Sequence, residues 1–232
     1  MKNFALGGNL YATLGLIAAS VNAAPITFNG IDVAANSTDP RPNSSSSAAS
    51  FDAAAGALGT VHIIDFESAP LGNFVTLAVA PGVTLSSNQE IRNTPQGTPD
   101  GLYGYNTTAG GSRFLSLFGG NITFNFSTPI QAFGSYLSGV QLTGETITFS
   151  DGSSQTLAIP NPPTGVEFFG FTDVNQSIAS VTVNVQIGST GDIMGIDDVR
   201  FVTVPEPASL SFVGLGFCAV ALHFRRRFGR AS

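Results

Sequence analysis

The chain has 232 residues and a formal net charge of −6; 10% of its residues are charged and 43% are hydrophobic. Residues 24–203 carry four Arg and no Lys against 14 carboxylates, so this part has a net charge near −10. Such a surface repels polyanions and has no basic patch for phosphates, which argues against nucleic-acid binding and suits divalent cations. The only Cys, Cys218, lies in an apolar C-terminal run, so residues 24–203 have no disulfide.

The first residues resemble an export leader. Lys2 provides a thin positive region, Leu10–Val21 is apolar, and Val21-Asn22-Ala23 offers the small residues that signal peptidase needs. The pattern predicts a signal peptide over residues 1–23, with a mature chain that starts at Ala24. We therefore expect signal peptidase and the export machinery as partners, and the body of the protein outside the cytoplasm.

Residues 24–59 show little periodicity. Pro25–Val33 predicts one short strand, and Asn36–Ser50 is rich in Ser, Asn, Pro and Ala, which predicts a mobile linker. Ser50-Phe51-Asp52-Ala53 is typical of the start of a short helix that ends at Gly59. Phe51, Ala55 and Leu58 would share one face of that helix.

From residue 60 to 203 the hydrophobic pattern has a period of two, which is typical of β-strands. The predicted strands are Val61–Glu67, Phe74–Val79, Gly82–Leu85, Arg113–Phe118, Asn121–Phe126, Ile130–Leu137, Glu145–Ser150, Ser154–Ile159, Val166–Phe171, Ser180–Gln186 and Ile193–Val202. Gly119-Gly120 and Asp151-Gly152 predict tight hairpins between their flanking strands. Each strand has one polar and one apolar face, so we predict an all-β, antiparallel β-sandwich of the jelly-roll type.

Two short motifs agree with this fold. Asp65-Phe66-Glu67 in the first long strand and Gly195-Ile196-Asp197-Asp198-Val199 in the last resemble the terminal strands of extracellular jelly-rolls such as MAM and carbohydrate-binding-module domains. The resemblance implies an architecture and no particular function.

The acids of these two motifs are candidate metal ligands. A jelly-roll places its first and last strands side by side, and a Ca²⁺ ion would relieve the repulsion between the gathered carboxylates. Alternation turns Asp197 inward and Asp198 outward, so we favour Glu67 with Asp198 as ligands and keep Asp65 and Asp197 in reserve. The alternative is that these acids bond to loop amides or pair with Arg200.

Catalytic residues are scarce. His62 is the only His outside the tail, and its alternation with Ile64 and Phe66 places it on or near the core face. The chain has no Gly-x-Ser-x-Gly elbow, and residues 24–203 have no His or Cys pair for zinc. Two carboxylates acting as the acid and base of a glycosidase stay open. We predict a protein that is not an enzyme.

Residues 204–232 form a tripartite tail. Val204-Pro205-Glu206-Pro207 is a spacer that its two Pro residues keep extended, and Ala208–Phe224 is an apolar run without a charged residue. As a helix this run of roughly 17 residues is about 25 Å long, the short end of a membrane span. A basic cluster follows, which we expect to stay cytoplasmic: Arg225, Arg226, Arg227 and Arg230.

Motif, apolar run and basic cluster in this order closely resemble the PEP-CTERM sorting signal. The resemblance implies a Gram-negative bacterium that also makes exopolysaccharide, and an exosortase that recognises Pro205-Glu206-Pro207. It implies a protein that is anchored in the inner membrane and then sorted to the cell surface or extracellular matrix. Phe168–Asp173 and Ile178–Val185 also resemble segments of PEP-CTERM ectodomains.

The ligand of the exported part is weakly indicated. Sugar binding needs exposed aromatic rings, and the chain has no Trp. Tyr103, Tyr105 and Tyr136 are the candidates, the first two within the Gly/Thr/Asn-rich loop Asn93–Ser112. We predict a structural or matrix-associated surface protein, with an exopolysaccharide-binding module and a glycan-active enzyme as alternatives.

Overall fold

The computed structural model describes residues 25–94, 103–141, 145–157, 165–174, 176–185 and 192–204. The predicted signal peptide, Pro205-Glu206-Pro207, the apolar run Ala208–Phe224 and the Arg cluster lie outside these residues. Across the described ranges, no helix is long and apolar enough to cross a membrane.

The described residues form eleven strands and one helix, which confirms the all-β class. The elements are β1 (Ile26–Asp32), α1 (Pro42–Gly56), β2 (His62–Ile64), β3 (Gly72–Ala80), β4 (Val83–Asn93), β5 (Arg113–Phe118), β6 (Gly120–Ser138), β7 (Thr146–Phe149), β8 (Ser154–Thr156), β9 (Val166–Thr172), β10 (Ile178–Val185) and β11 (Ile193–Thr203). All pairings between them are antiparallel, as predicted.

The long strand β6 organises the sheet because it changes both neighbours along its length. Its first half lies between β4 and β10, and its second half lies between β11 and β9. Pro129 lies where β6 exchanges these neighbours. Because Pro has no amide hydrogen to donate, it is best tolerated at such an interruption of the strand pairing. Burial alternates before Pro129, whereas every residue from Ile130 to Ser138 is buried, so both faces of the second half are covered.

Two predictions about this strand were wrong. The segments Asn121–Phe126 and Ile130–Leu137 belong to one strand. Gly119-Gly120 does not close a hairpin, because β5 pairs with β4 and β11 and has no pairing with β6. Both Gly residues have positive φ, 67° and 80°, and redirect the chain between separate strand partners. The Asp151-Gly152 hairpin is confirmed by the β7–β8 pairing.

The predicted linker Asn36–Ser50 was also wrong, since its second half is helical. Helix α1 starts at Pro42, whose missing amide is tolerated in the first turn. The Asp32 carboxylate of β1 accepts hydrogen bonds from the backbone amides of Asn43 (3.1 Å) and Ser44 (2.7 Å). The fold thus supplies from a strand the cap that the helix itself lacks.

Small residues on α1 and on the sheet let the two approach closely. The buried face of α1 is spaced as a helix requires and consists of Ser44, Ala48, Phe51 and Ala55. Phe51 lies over Gly134 and Gly170, which face each other on β6 and β9. A Cβ atom on Gly170 would lie 2.7 Å from the Phe51 ring.

Two apolar clusters follow from this arrangement. The larger one collects inward residues of most strands, and the smaller one lies between α1 and the sheet. In β6, Phe133 and Leu137 join the larger cluster, whereas Ala132 and Tyr136 join the smaller one. The two-sheet jelly-roll arrangement stays a prediction.

Candidate functional site

The predicted metal ligands lie on β11 and directly after β2, and these two strands lie side by side. Strand β2 pairs with β11, with Ile64 opposite Val199 and His62 opposite Phe201. Strand β11 carries a bulge next to this pairing, because Asp197 lies opposite Tyr136 and Arg200 opposite Gly134. The extra residue breaks the alternation of side chains along the strand.

The bulge directs two consecutive carboxylates to one loop. Asp198 has a φ of +48°, which is uncommon for a residue other than Gly. The Oδ2 atom of Asp197 accepts hydrogen bonds from the amides of Thr107 (2.6 Å) and Thr108 (3.1 Å). Asp198 accepts from the hydroxyl groups of the same residues, at 3.1 and 2.8 Å. Asp197 is buried and Asp198 is half-buried. Both point to the same loop, so the prediction that alternation turns them to opposite faces was wrong.

Glu67 binds the same loop. Its Oε1 atom accepts hydrogen bonds from the Asn106 amide group and from the backbone amides of Ser112 and Arg113, each at 2.8 Å. A Cβ on Gly111 would lie 2.3 Å from Oε1, so only Gly allows this approach. Asp65 is exposed and accepts a hydrogen bond from the Glu67 amide. Three of the four predicted acids therefore hold one loop, and Asp65 does not contact it.

Burial and repulsion act strongly on Asp197. Burial raises its pKa well above the usual value, the charge of Asp198 raises it further, and the amides of Thr107 and Thr108 oppose the shift. Its Oδ1 atom and the Asn106 Oδ1 atom are buried, and neither accepts a hydrogen bond from another described residue. Both are hard oxygen donors of the kind that Ca²⁺ binds.

The contacts around these acids mainly fit the alternative to metal binding, in which the acids accept hydrogen bonds from loop amides. The loop amides bind Asp197 and Glu67, whereas Arg200 pairs with Asp52 at 3.2 Å. Within the described ranges, no group of three or more His, Cys, Asp or Glu side chains lies together as a metal site requires. Ca²⁺ binding at Glu67 and Asp198 stays a prediction.

Only one of the predicted ligand-binding tyrosines is exposed. Tyr105 is buried, its hydroxyl group donates to the Ala34 carbonyl (3.0 Å), and its amide donates to the Ser138 hydroxyl (2.8 Å). Tyr136 is also buried, between the Arg41 and Arg200 guanidinium groups, which lie 5.0 and 5.3 Å from its ring centre. The expectation that these two rings are free to bind a ligand was wrong, because both are buried in packing contacts within the protein.

Tyr103 belongs to an exposed aromatic patch, which we define as Tyr103, Arg92 and Phe118. Tyr103 is 38% exposed and Phe118 is 50% exposed. The Arg92 guanidinium lies 5.6 and 5.5 Å from the two ring centres, and Glu90 pairs with it at 3.3 Å. The sequence analysis did not identify Phe118 as a candidate. Its position could have indicated exposure, since it is a large aromatic residue at a strand end, next to Gly119-Gly120.

His62 is exposed and stacks on Phe201, with ring centres 5.1 Å apart. The expectation that it faces the core was wrong, because β2 lies at the edge of the sheet and pairs only with β11.

A small cavity of about 170 Å³ opens between the start of β1 and the β7–β8 hairpin. Phe149 and Phe171 form its apolar wall, with ring centres 4.4 Å apart, and Asp151, Gln155 and Asp173 contribute polar groups. Pockets for drug-sized ligands have volumes of roughly 300–1,000 Å³, so this cavity does not by itself assign a ligand.

Comparison with known proteins identifies the end of the chain. No curated protein and no solved structure matches the chain. Residues 203–227 match the family model described as the PEP-CTERM protein-sorting motif. The chain therefore carries a PEP-CTERM sorting motif, which implies an exported protein that an exosortase sorts.

Proposed function

We propose that this is a surface-sorted protein with a structural or matrix-associated role, delivered by an exosortase-type enzyme that acts at Pro205-Glu206-Pro207. The observation that carries the proposal is the motif match over residues 203–227, which begins at the last residue of β11. The Val204 amide donates to the Pro129 carbonyl at 2.8 Å, so backbone hydrogen bonds to the sheet extend to the residue before Pro205. Before sorting, the sheet would therefore be held close to the membrane face.

Replacing Pro205, Glu206 and Pro207 together with Ala tests this proposal. We expect the unprocessed protein to accumulate in the inner membrane, measured by fractionation and by the intact mass of the product. Gly56→Ala is the control, because nothing lies within 4 Å of an added Cβ there. A mature form of unchanged mass and location in the triple variant would refute the role of the motif.

The proposal assigns no catalytic activity to the exported part. It is supported by the engagement of Glu67 and Asp197 with loop amides rather than with a proton-transfer partner. The test is a panel of glycans incubated with the purified full-length protein. Turnover that one carboxylate-to-amide substitution abolishes would overturn this part of the proposal in favour of a glycan-active enzyme.

A second candidate function is binding of the exopolysaccharide, and the exposed aromatic patch favours it. Aromatic faces next to a guanidinium offer both apolar contact and hydrogen-bond donors. Tyr103→Ala and Phe118→Ala should each weaken binding to purified exopolysaccharide by roughly 2–10-fold. Val75→Ala is the control, since Val75 is exposed and lies outside the patch. Equal affinity of all variants, or no binding, would reject this candidate.

A further inference from the structure

Strand β3 forms a long open edge of the sheet. It has nine residues and is about 30 Å long. Among the described residues it pairs only with β4, and no other backbone hydrogen bond reaches it. Alternate residues of an antiparallel strand direct their amide and carbonyl groups to opposite sides. The outer side of β3 therefore presents a row of backbone donors and acceptors, which is a template for another β-strand.

The other edge strands in the described part of the chain are short or covered. Strands β2 and β8 have three residues each. Strand β1 has seven residues, but side chains of α1 bind its outer carbonyl groups. The Ser47 hydroxyl donates to the Asn29 carbonyl at 2.8 Å, and the Asn43 side-chain amide donates to the Ile31 carbonyl at 3.1 Å. Shortening and covering both prevent edge-to-edge pairing, and β3 has neither protection.

The sequence of β3 also lacks the residues that usually block an open edge. Residues 68–89 contain no Asp, Glu, Lys or Arg, and β3 itself contains no Pro. A bulge in the edge strand would be a further obstacle. The register shift between Phe74 and Thr76 places its extra residue in β4, so this bulge leaves β3 regular. Another strand can therefore pair with β3 without meeting a charge or a kink.

The larger apolar cluster reaches the surface at the same edge. Four residues of β3 pack against that cluster and are only partly buried: Phe74, Leu77, Val79 and Ala80. Val75 is 70% exposed, the highest value among the large hydrophobic residues that the structure describes. A strand added to β3 would cover part of these side chains and extend the core by one strand.

We propose that β3 pairs antiparallel with β3 of a second copy of this chain, so that one sheet continues across two protomers. The partner strand must be uncharged and must present apolar side chains on the core side, and β3 itself meets both requirements. An antiparallel pair of identical strands is related by a two-fold axis, so each protomer supplies the same residues.

The charge of the protein favours a contact at this edge. Residues 24–203 carry a net charge near −10, so two copies repel each other over most orientations. The repulsion is weakest where the uncharged segment 68–89 of one copy meets that of the other. Dimers on the cell surface would link neighbouring copies. That consequence rests on the sorting proposed above, whereas the strand pairing does not.

The test is sedimentation velocity of the full-length protein in density-matched detergent over a range of concentrations. We expect a reversible dimer. Thr76→Lys with Ala78→Lys should raise its dissociation constant about tenfold or more, because like charges then face each other across the two-fold axis. Both residues are exposed, so these substitutions should leave the circular dichroism and the Tm of the protomer unchanged.

The control is Ser154→Lys with Thr156→Lys. These residues are also exposed and two positions apart, but they lie on the edge strand β8. The control adds the same charge to the protein, and it should dimerise as the wild type does.

Cysteine cross-linking locates the contact without the Lys substitutions and independently of their effect on folding. The only Cys of the chain, Cys218, is first replaced with Ser. Thr76 lies at the middle of β3, so Thr76→Cys should place two thiol groups within reach of a short bismaleimide across the dimer. Thr156→Cys on β8 should give little cross-linked dimer at the same concentration.

Three results would overturn the proposal. One is a wild-type protein that stays monomeric at every concentration. Another is a dimer whose dissociation constant is the same in both Lys variants. The third is equal cross-linking through Thr76→Cys and Thr156→Cys. These measurements use unprocessed protein, so any of the three would leave the sorting proposal standing.

Discussion

Gly170→Ala tests the close contact between α1 and the sheet. An added Cβ would lie 2.7 Å from the Phe51 ring and 3.1 Å from the Phe168 ring. Phe51 belongs to α1, and its side chain is fully buried. Neither ring can move without disturbing the other, because their centres are 5.7 Å apart. Overpacking of this kind costs about 1–3 kcal/mol, which lowers the Tm of a domain this size by roughly 2–12 °C.

A double-mutant cycle makes the prediction specific. Phe51→Ala alone should cost about 3–5 kcal/mol because it leaves a cavity under the helix. In that background the added methyl group of Gly170→Ala has space, so its penalty should fall below about 1 kcal/mol. The assay is denaturant unfolding of the four proteins, with Gly56→Ala as a control that should be neutral or stabilising. An equal Gly170→Ala penalty in both backgrounds would show that Phe51 does not lie over Gly170.

Two further predictions concern α1. Burial raises the pKa of Asp32, but the hydrogen bonds from Ser44 and Asn43 outweigh it, and the pKa is lowered. The Asp32 carboxylate therefore stabilises the fold fully at pH values above its unfolded-state pKa near 4. This contribution is lost as the pH falls through its lower pKa in the folded protein. Asp32→Asn should cost about 0.5–2 kcal/mol at pH 7 and flatten the acid limb of the stability curve; an unchanged limb contradicts the cap. Arg200→Lys should destabilise by about 1–2 kcal/mol in thermal unfolding, because Lys does not reproduce the stacking on Tyr136 and the contact with Asp52. Arg92→Lys, on the exposed patch, should lower the stability less than Arg200→Lys does. Equal destabilisation by the two substitutions would refute this prediction.

The strands were predictable because their evidence is local. Alternation in Thr146–Phe149 and Ile178–Val185 needs only the residues of each strand, and both were found within two residues of their ends. The pairing of β2 with β11 agrees with the expectation, taken from the jelly-roll resemblance, that the first and last strands lie side by side. Hairpins depend on which strands pair, and Gly119-Gly120 shows that a turn sequence does not determine the partner.

The helix and the site were less predictable. Ser44, Ala48, Phe51 and Ala55 have helical spacing, but two Ala and one Ser give a weak apolar signal. Their burial depends on Gly30, Gly134 and Gly170, which remove the side chains that would keep the helix away. The direction of Asp198 depends on a bulge, and strand alternation alone would turn it away from Asp197.

By itself, the sequence determined the sorting tail and the β-rich class, since a tripartite motif and a period of two are read along neighbouring residues. Only the tertiary structure decided that Tyr105 is buried, that Tyr103 shares a patch with Phe118, and that β3 is an open edge of the sheet. These features involve segments distant in the chain, and they depend on strand pairing. No local pattern in the sequence encodes that pairing.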